Sequence, residues 1–558
     1  MTAAPVSESI MPVSDDERRA LAPHFDAAYY LSAYPDVAAA GVDPLLHYYV
    51  TGWREGRNPS RGFNTLYYLR HYPDVASADI NPLLHFVLAG EIEGRVATRP
   101  LDAWRLRLDG LRSGPPQYAD DSRRSDLLTE LELRTKLEPA LSRGPLIVSV
   151  SHDDYATNTG GVQNLIADEE RASSNLGWPY LHISPAVHRS VLSEQTAASA
   201  YQLGIRLGRD WVGYTNMAIL LKALASLRAH TRRVEVVIHH MMAHSPELLR
   251  ELVRVTACER TLVWAHDFFT VCPSYTLLRN DVVVCGGPPR ASAACTICHY
   301  GDSRGEHLRR VGAFFEAVRP VLLVPSQATL ADWRRMVNFP VTEAHVLPLG
   351  RLLLAPSTQS WAQGTEVQPI RIAHVGARVF HKGWPVFETL ALSLRRDRRY
   401  RFFQFGRADD APLPDCIRHV HVNVTRDTRH AMIDALTENN IDVVVNWSLW
   451  PETFCFAAYE AVASGAFLVT HTTAGNVPRM LVDNALDQGI VLANQAALFA
   501  LFDSAALQRK LSQSRRRRGT IRLSTGTIGW LRAALGPRAA ATHAKMASGA
   551  RRETSMHV

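Results

Sequence analysis

The sequence predicts an α/β protein: two doubly wound domains facing each other across a cleft, preceded by a small α-helical module of two repeats. Three observations carry this. From Pro145 onward, short apolar runs alternate with helical segments, the pattern of parallel sheets covered on both faces. The runs form two series parted near residues 348–368, and a 38-residue repeat stands ahead of both.

The chain has 558 residues, 46% apolar and 21% charged, ordinary values for a globular protein with a sizeable core. No stretch reaches the roughly 20 apolar residues of a membrane span. The start, Met1-Thr-Ala-Ala-Pro, lacks a basic and apolar leader, so the expected location is cytoplasmic. The formal charge is +7, with basic clusters at Arg395–Arg399 and Arg515–Arg518. Neither interleaves with aromatics, which argues against nucleic acid. Each reads as a solvated helix face, with peripheral attraction to an anionic membrane as the functional rival.

In order, residues 1–24 are expected to be a disordered lead. Phe25-Asp-Ala-Ala-Tyr-Tyr-Leu then recurs as Phe63-Asn-Thr-Leu-Tyr-Tyr-Leu, Asp43-Pro-Leu-Leu-His47 as Asn81-Pro-Leu-Leu-His85, and Glu55-Gly-Arg57 as Glu93-Gly-Arg95, each pair 38 residues apart. Residues 25–97 are therefore two helical repeats whose Tyr, Leu and His are packing residues. Residues 98–143 read as a helical connector. Strands are expected at 146–150, 234–238, 261–264 and 321–324 in a domain spanning 144–350. A second domain, 351–495, has strands at 370–375, 401–405, 419–422, 441–445 and 467–470. Terminal helices follow at 496–535, then a basic tail at 536–558.

In such domains ligands bind at the carboxyl ends of strands. Gly160-Gly161 after the first strand permits close approach of a ligand to the backbone. Gly376-Ala-Arg-Val-Phe-His-Lys-Gly383 places Arg378 and Lys382 on a loop where a diphosphate would need cations. His266 closes a strand, next to Asp267. His239-His-Met-Met-Ala-His244 reads as packing beside the cleft. Trp450-Pro-Glu-Thr-Phe-Cys-Phe-Ala-Ala-Tyr-Glu460 reads as a helix capped by Thr453 and stopped at Gly465. On that reading Glu452 and Glu460 lie roughly 12 Å apart along the axis, too far for an acid/base couple and suited to gripping two parts of one elongated ligand.

Cys272, Cys285, Cys295 and Cys298 fall within one Gly/Pro-rich insert, 270–300. Four cysteines ending in C-x-x-C are the donor set for structural zinc, with free thiols or an iron–sulfur cluster as alternatives. Cys258, Cys416 and Cys455 read as buried thiols.

From about Pro145 to Leu535 the chain resembles the retaining GT-B glycosyltransferases of family 4, the group 1 enzymes with two Rossmann-like halves. The resemblance rests on five features in the family's order: Gly160-Gly161, His239–His244, Ala-His266-Asp, Arg378…Lys382-Gly383, and Glu452-x7-Glu460 followed by Ala-Val-Ala-Ser-Gly. The repeats resemble modules appended to some bacterial surface-polysaccharide glycosyltransferases. The resemblance implies a nucleotide-diphosphate sugar as donor, a polysaccharide or lipid-linked glycan as acceptor, retention, and no catalytic metal. It implies that Glu460 binds ribose and that Glu452 and His266 contact the transferred sugar. Arg378 and Lys382 would neutralise the diphosphate, with Gly160, Gly161, Gly383 and Phe454 around the donor. One departure is Arg479, in Ala474-Gly-Asn-Val-Pro-Arg479, where the family often has an acid. Rival readings are an inactive scaffold of the same fold and a nucleotide-sugar epimerase; for a phosphorylase no pyridoxal-binding lysine is identifiable.

Overall fold

The computed structural model describes residues 13–98, 124, 126–141, 144–158, 160–228, 233–356, 368–407, 413–425 and 427–535. The tail at 536–558, most of the connector and the first twelve residues of the expected lead lie outside these. The chain divides into two compact units, Met1–Gln117 and Tyr118–Val558.

In the first unit, residues 15–24 are not disordered, in contrast to the expectation. Ser14 and Glu17 cap one another reciprocally and start the helix Asp15–Leu21, whose Leu21 is buried. The helices Ala27–Ala33 and Thr65–His71 follow, capped by Asp26 and Asn64. In each repeat a buried tyrosine meets a histidine, Tyr30 with His47 and Tyr68 with His85, both at 3.0 Å. Tyr48 Oη and Thr65 Oγ1, 3.1 Å apart, join the repeats inside one small core.

The second unit holds two sheets. The first runs, edge to edge, Glu343–Val346, Val321–Val324, Arg260–Trp264, Val234–Ile238, Leu146–Val150, Tyr180–Pro185, Gln202–Leu207 and Asp210–Asn216. Its first six strands are parallel and the last two antiparallel. The second runs Ile417–His421, Tyr400–Gly406, Ile370–Val375, Val443–Val445, Phe467–His471 and Gly489–Leu492, all parallel. Each Val/Ile/Leu-rich central strand is buried along its length because helices cover both faces. This is the expected α/β class, with two doubly wound, Rossmann-like sheets.

Strand order reverses beside the first strand of each sheet: Leu146–Val150 lies between Val234–Ile238 and Tyr180–Pro185, and Ile370–Val375 between Val443–Val445 and Tyr400–Gly406. At such a reversal the loops from neighbouring strands splay to opposite faces and leave a crevice. The loops so placed begin at Ser151, His239, Gly376 and Asn446.

The segment 496–535 is not all helix. Gly519–Leu523 is a strand, paired antiparallel with Gly350–Leu354. The last helix, Gly526–Leu535, then packs on the first sheet's helices. Thr527 N–H donates to Glu169 Oε1 at 2.7 Å, and Trp264 Nε1–H donates to Thr527 Oγ1 at 2.9 Å; all three residues are buried. Replacing Thr527 by Val keeps the shape but strands the Trp264 N–H. The expected cost is about 1–3 kcal/mol, read as a lower denaturant midpoint, whereas Thr527→Ser should keep it.

Candidate functional site

A cavity of about 500 Å³ opens between the two halves of the second unit. Gly160 and Gly161 border it from the first half, and Arg378, Arg429, Phe456 and Glu460 from the second. Gly161 begins a 15-residue helix, Gly161–Asn175, whose first N–H groups have no partner within the helix. A Cβ at Gly160 would meet Gln163 Oε1 at 2.3 Å, so a side chain there would displace the Gln163 amide. Val375, Val422, Met432, Ile521 and Leu523 make one wall apolar.

Glu460 lies on the helix Phe456–Ala463 and is 7% exposed. Burial lifts its carboxyl from 4.5 to about 7, Arg429 acts in the opposite sense, and no hydrogen bond contributes. It is a buried carboxylate facing a cavity, without a donor among the described residues. Arg429 Nη2 is held by Asp168 Oδ2 at 2.8 Å and by the Asn164 carbonyl at 2.9 Å, which ties the Gly161–Asn175 helix to the opposite half. Arg378 lies with its guanidinium 5.8 Å from the Trp384 ring centre.

Glu452 is elsewhere. The helix begins at Phe456, with Cys455 at its cap and no side-chain cap, so Thr453 is not the cap and Glu452 is not on the helix. The axial separation expected for the two glutamates therefore does not apply. Glu452 sits 2% exposed in the preceding loop. Its Oε1 accepts from Lys382 Nζ at 2.8 Å and from Ser448 Oγ at 2.5 Å. Burial works against the Lys382 charge, but Glu452 beside it leaves the ammonium above the usual lysine value. The Trp450 ring centre is 5.2 Å from Lys382 Nζ. The Glu452 peptide is also gripped: its carbonyl accepts from Asn476 N–H at 2.7 Å, and Gly475, at φ +63°, lies so close that a Cβ would meet it at 2.3 Å. Arg479, the departure noted above, faces solvent and pairs with Asp483.

His266 is buried among stacked rings. Its ring stacks on Trp264 at 4.7 Å and on His239 at 5.5 Å, and its Nε2 is 3.2 Å from His239 Nδ1. Burial, then His239, His240 and His152, hold it well below the usual histidine value, so it is neutral. Its carbonyl accepts from Thr453 Oγ1, next to Glu452. Gly383 opens the helix Trp384–Ser393 and does not border the cavity. Phe454 does not border it either; it stacks on Tyr459 at 4.5 Å and packs between the two cores, while Phe456 lines the cavity.

The zinc expectation is corrected. Cys272, Cys285, Cys295 and Cys298 border one cavity of about 20 Å³, but among the described residues no group of three or more His, Cys, Asp or Glu is set to hold a metal ion. The donor chemistry explains why. The buried Arg304 puts Nη1 2.9 Å from Cys295 Sγ, where a cation would be repelled. Cys285 Sγ–H donates to the Leu277 carbonyl at 3.2 Å, and burial pushes the Cys272 thiol up to about 12. Arg304, which also donates to the Pro288 carbonyl at 2.7 Å, does the tying that zinc was expected to do.

The basic clusters are partly spent on internal contacts. Arg516 pairs with Asp442, Arg517 with Asp487, and Arg399 with Asp397. No helix among the described residues is long and apolar enough to cross a membrane.

Sequence reasoning missed Arg429, His152, Asp153 and Gln163. The strand-end rule that picked out His266 applies equally to Ser151-His152-Asp153 after the first strand; Arg429 carries no such signal.

No family profile matches the chain, and no curated protein does. Among solved structures it is similar to HepE of Anabaena in complex with UDP-glucose, at 10% identity and a TM-score of 0.40, covering 66% of this chain and 92% of that one. It is also similar to WaaG, a glycosyltransferase involved in lipopolysaccharide biosynthesis, at 14% and 0.36 over 66% and 92%. TarM matches at 11% and 0.33 over 59% and 58%. The fold itself stands on the two strand orders described above.

The Glu460 carboxyl is easier to protonate folded than unfolded. Its contribution to stability is thus fully present below pH 4.5 and is lost as pH rises through about 7. Melting of the ligand-free protein between pH 5 and 8 should fall less steeply in Glu460→Gln than in the parent chain.

Proposed function

We propose that this chain is a retaining glycosyltransferase that moves a sugar from a nucleotide-diphosphate donor to a glycan or lipid-linked acceptor. The observation that carries the reading is Glu460: a buried carboxylate without a donor among the described residues, in the same cavity as the helix start at Gly161 and the cations Arg378 and Arg429. A carboxylate that lacks donors inside a cavity is matched by a ligand presenting paired hydroxyls, as a ribose does. The apolar wall suits a base, and the N–H groups and guanidiniums suit the phosphates.

Charge then dictates the chemistry. When the bond between sugar and diphosphate breaks, negative charge grows on the leaving phosphate and positive charge on the sugar ring. Arg378 and Arg429, fixed before reaction, stabilise that leaving charge more than they stabilise the bound donor. Lys382 is committed to Glu452, so this pair acts as one preorganised dipole at the end of the cleft where the transferred sugar lies. Glu452 supplies the negative end to the developing oxocarbenium, and the neutral His266 contacts the same sugar. The departing phosphate takes the acceptor's proton on the face it leaves, which preserves configuration without an enzyme nucleophile. The distant likeness to proteins solved with UDP-glucose supports UDP-sugars as the first donors to try.

A thermal-shift panel of UDP-, GDP- and dTDP-sugars tests this reading: one donor class should raise the melting temperature selectively, and silence across the panel would favour the inactive scaffold. With that donor, Glu460→Ala should weaken binding by roughly 10- to 100-fold, the loss of charge-assisted hydrogen bonds, and Arg378→Ala should do so less. Glu452→Gln should lower kcat while leaving the donor Kd nearly unchanged. Transfer at parental rates in all three would overturn the assignment.

A further inference from the structure

We propose that His152 and Asp153 form a binding site for a hydroxyl group of a sugar ring, beside the donor cavity. The proposal rests on reading that cavity as a nucleotide-sugar site. Both residues leave the carboxyl end of Leu146–Val150, at the strand-order reversal. The side-chain amide of Gln163 joins them: its Nε2 is 2.7 Å from Asp153 Oδ2 and 3.3 Å from His152 Nε2. Gly160, on the cavity wall, packs against the other end of the same amide. The pair is thus one side chain away from the cavity.

The Gln163 amide also decides the protonation. As donor to both neighbours it makes His152 Nε2 an acceptor, so the ring proton is on Nδ1. His152 Nδ1 and Asp153 Oδ1 are both buried, and neither has a partner among the described residues. Native folds rarely leave such atoms unmet. The adjacent His240 cannot serve them, although its ring centre is 4.7 Å from that of His152. Its Nε2–H goes to Asp267 at 3.0 Å, and its Nδ1 accepts from Met242 N–H at 3.0 Å.

One unmet donor and one unmet acceptor on adjacent residues select a ligand group. A phosphate or carboxylate would be repelled by Asp153, and an ammonium could not accept from His152. A hydroxyl both accepts and donates, and a sugar ring presents several. Burial, then the neighbouring histidines, holds His152 down at about 2. It therefore stays neutral and binds through its N–H; it does not take up the substrate's proton.

The test uses the full chain with His152→Phe and Asp153→Ala, confirmed folded by their melting curves. The probes are the nucleotide sugar selected by the thermal-shift panel, its bare nucleoside diphosphate, and methyl glycosides of common hexoses. Calorimetry should show the bare nucleotide binding within about two-fold of the parent chain, while sugar-dependent affinity falls roughly 5- to 100-fold. A loss confined to the nucleotide sugar assigns the hydroxyl to the donor, and a loss confined to the methyl glycosides assigns it to the acceptor. Unchanged sugar-dependent affinity in both folded variants overturns the proposal. A second readout is the His152 Nδ1–H resonance in ¹⁵N-histidine-labelled protein. It should move when methyl glycosides are added to the parent chain and stay fixed in Asp153→Ala. If nucleotides fail to bind at all, the functional reading falls, and an unmoved resonance then overturns this site as well.

Discussion

The cleft is organised by the burial of Glu452. A carboxylate taken out of water must be paired and hydrogen-bonded, and the chain meets that demand from two directions. Lys382 comes from the loop after Ile370–Val375 and Ser448 from the loop after Val443–Val445, while Asn476 N–H, at the start of the next helix, holds the Glu452 backbone carbonyl. The adjacent Thr453 hydroxyl reaches across to the His266 carbonyl in the other half, and Phe454 packs between the two cores. One buried charge thereby positions the loops of both sheets, and Gly475 is glycine because the Glu452 peptide leaves no room for a side chain.

The two glutamates of the Glu452-x7-Glu460 pattern are consequently opposites. Glu452 is satisfied by the protein and serves as a fixed electrostatic element. Glu460 accepts no hydrogen bond from the described residues, and the lift of its carboxyl toward neutrality reflects its burial. Among the cations, Lys382 is held by Glu452 and Arg429 by Asp168 and the Asn164 carbonyl, and Arg378 and Arg429 border the cavity. Similar residue types a few positions apart thus take different roles, because burial and partners, which spacing does not report, decide their charge state.

The cysteine insert teaches a related lesson. Its spacing is that of a tetrahedral metal site, and the four side chains do gather round one small space. A buried guanidinium, 304 in sequence and outside the cysteine pattern, occupies that neighbourhood and turns a ligand set into a hydrogen-bonded knot. Spacing predicts proximity; it does not predict which cation supplies the charge.

Much of the architecture was legible in the sequence, because central strands of covered parallel sheets are continuous runs of Val, Ile and Leu that nothing else in a globular chain needs. The runs at 146–150, 234–238, 370–375 and 467–470 state themselves in this way. Tyr180–Pro185, Gln202–Leu207, Asp210–Asn216 and Gly519–Leu523 were among the strands missed. The first is buried but breaks its apolar run with His182 and Ser184. The others carry glycine, arginine or tryptophan in the antiparallel end of the first sheet or in a two-stranded ribbon, where half-buried pairing tolerates polar residues. Of the site, sequence determined which loops would face the crevice and hence that Gly160, Gly161, Arg378 and Glu460 would lie near it. Only the tertiary structure decided that Glu452 is paired, that Arg429 borders the same cavity as Glu460, and that His152 Nδ1 and Asp153 Oδ1 have no partner among the described residues. Such facts depend on distances between residues up to hundreds of positions apart, and hydrogen bonding acts over about 3 Å, a scale that no spacing along the chain encodes.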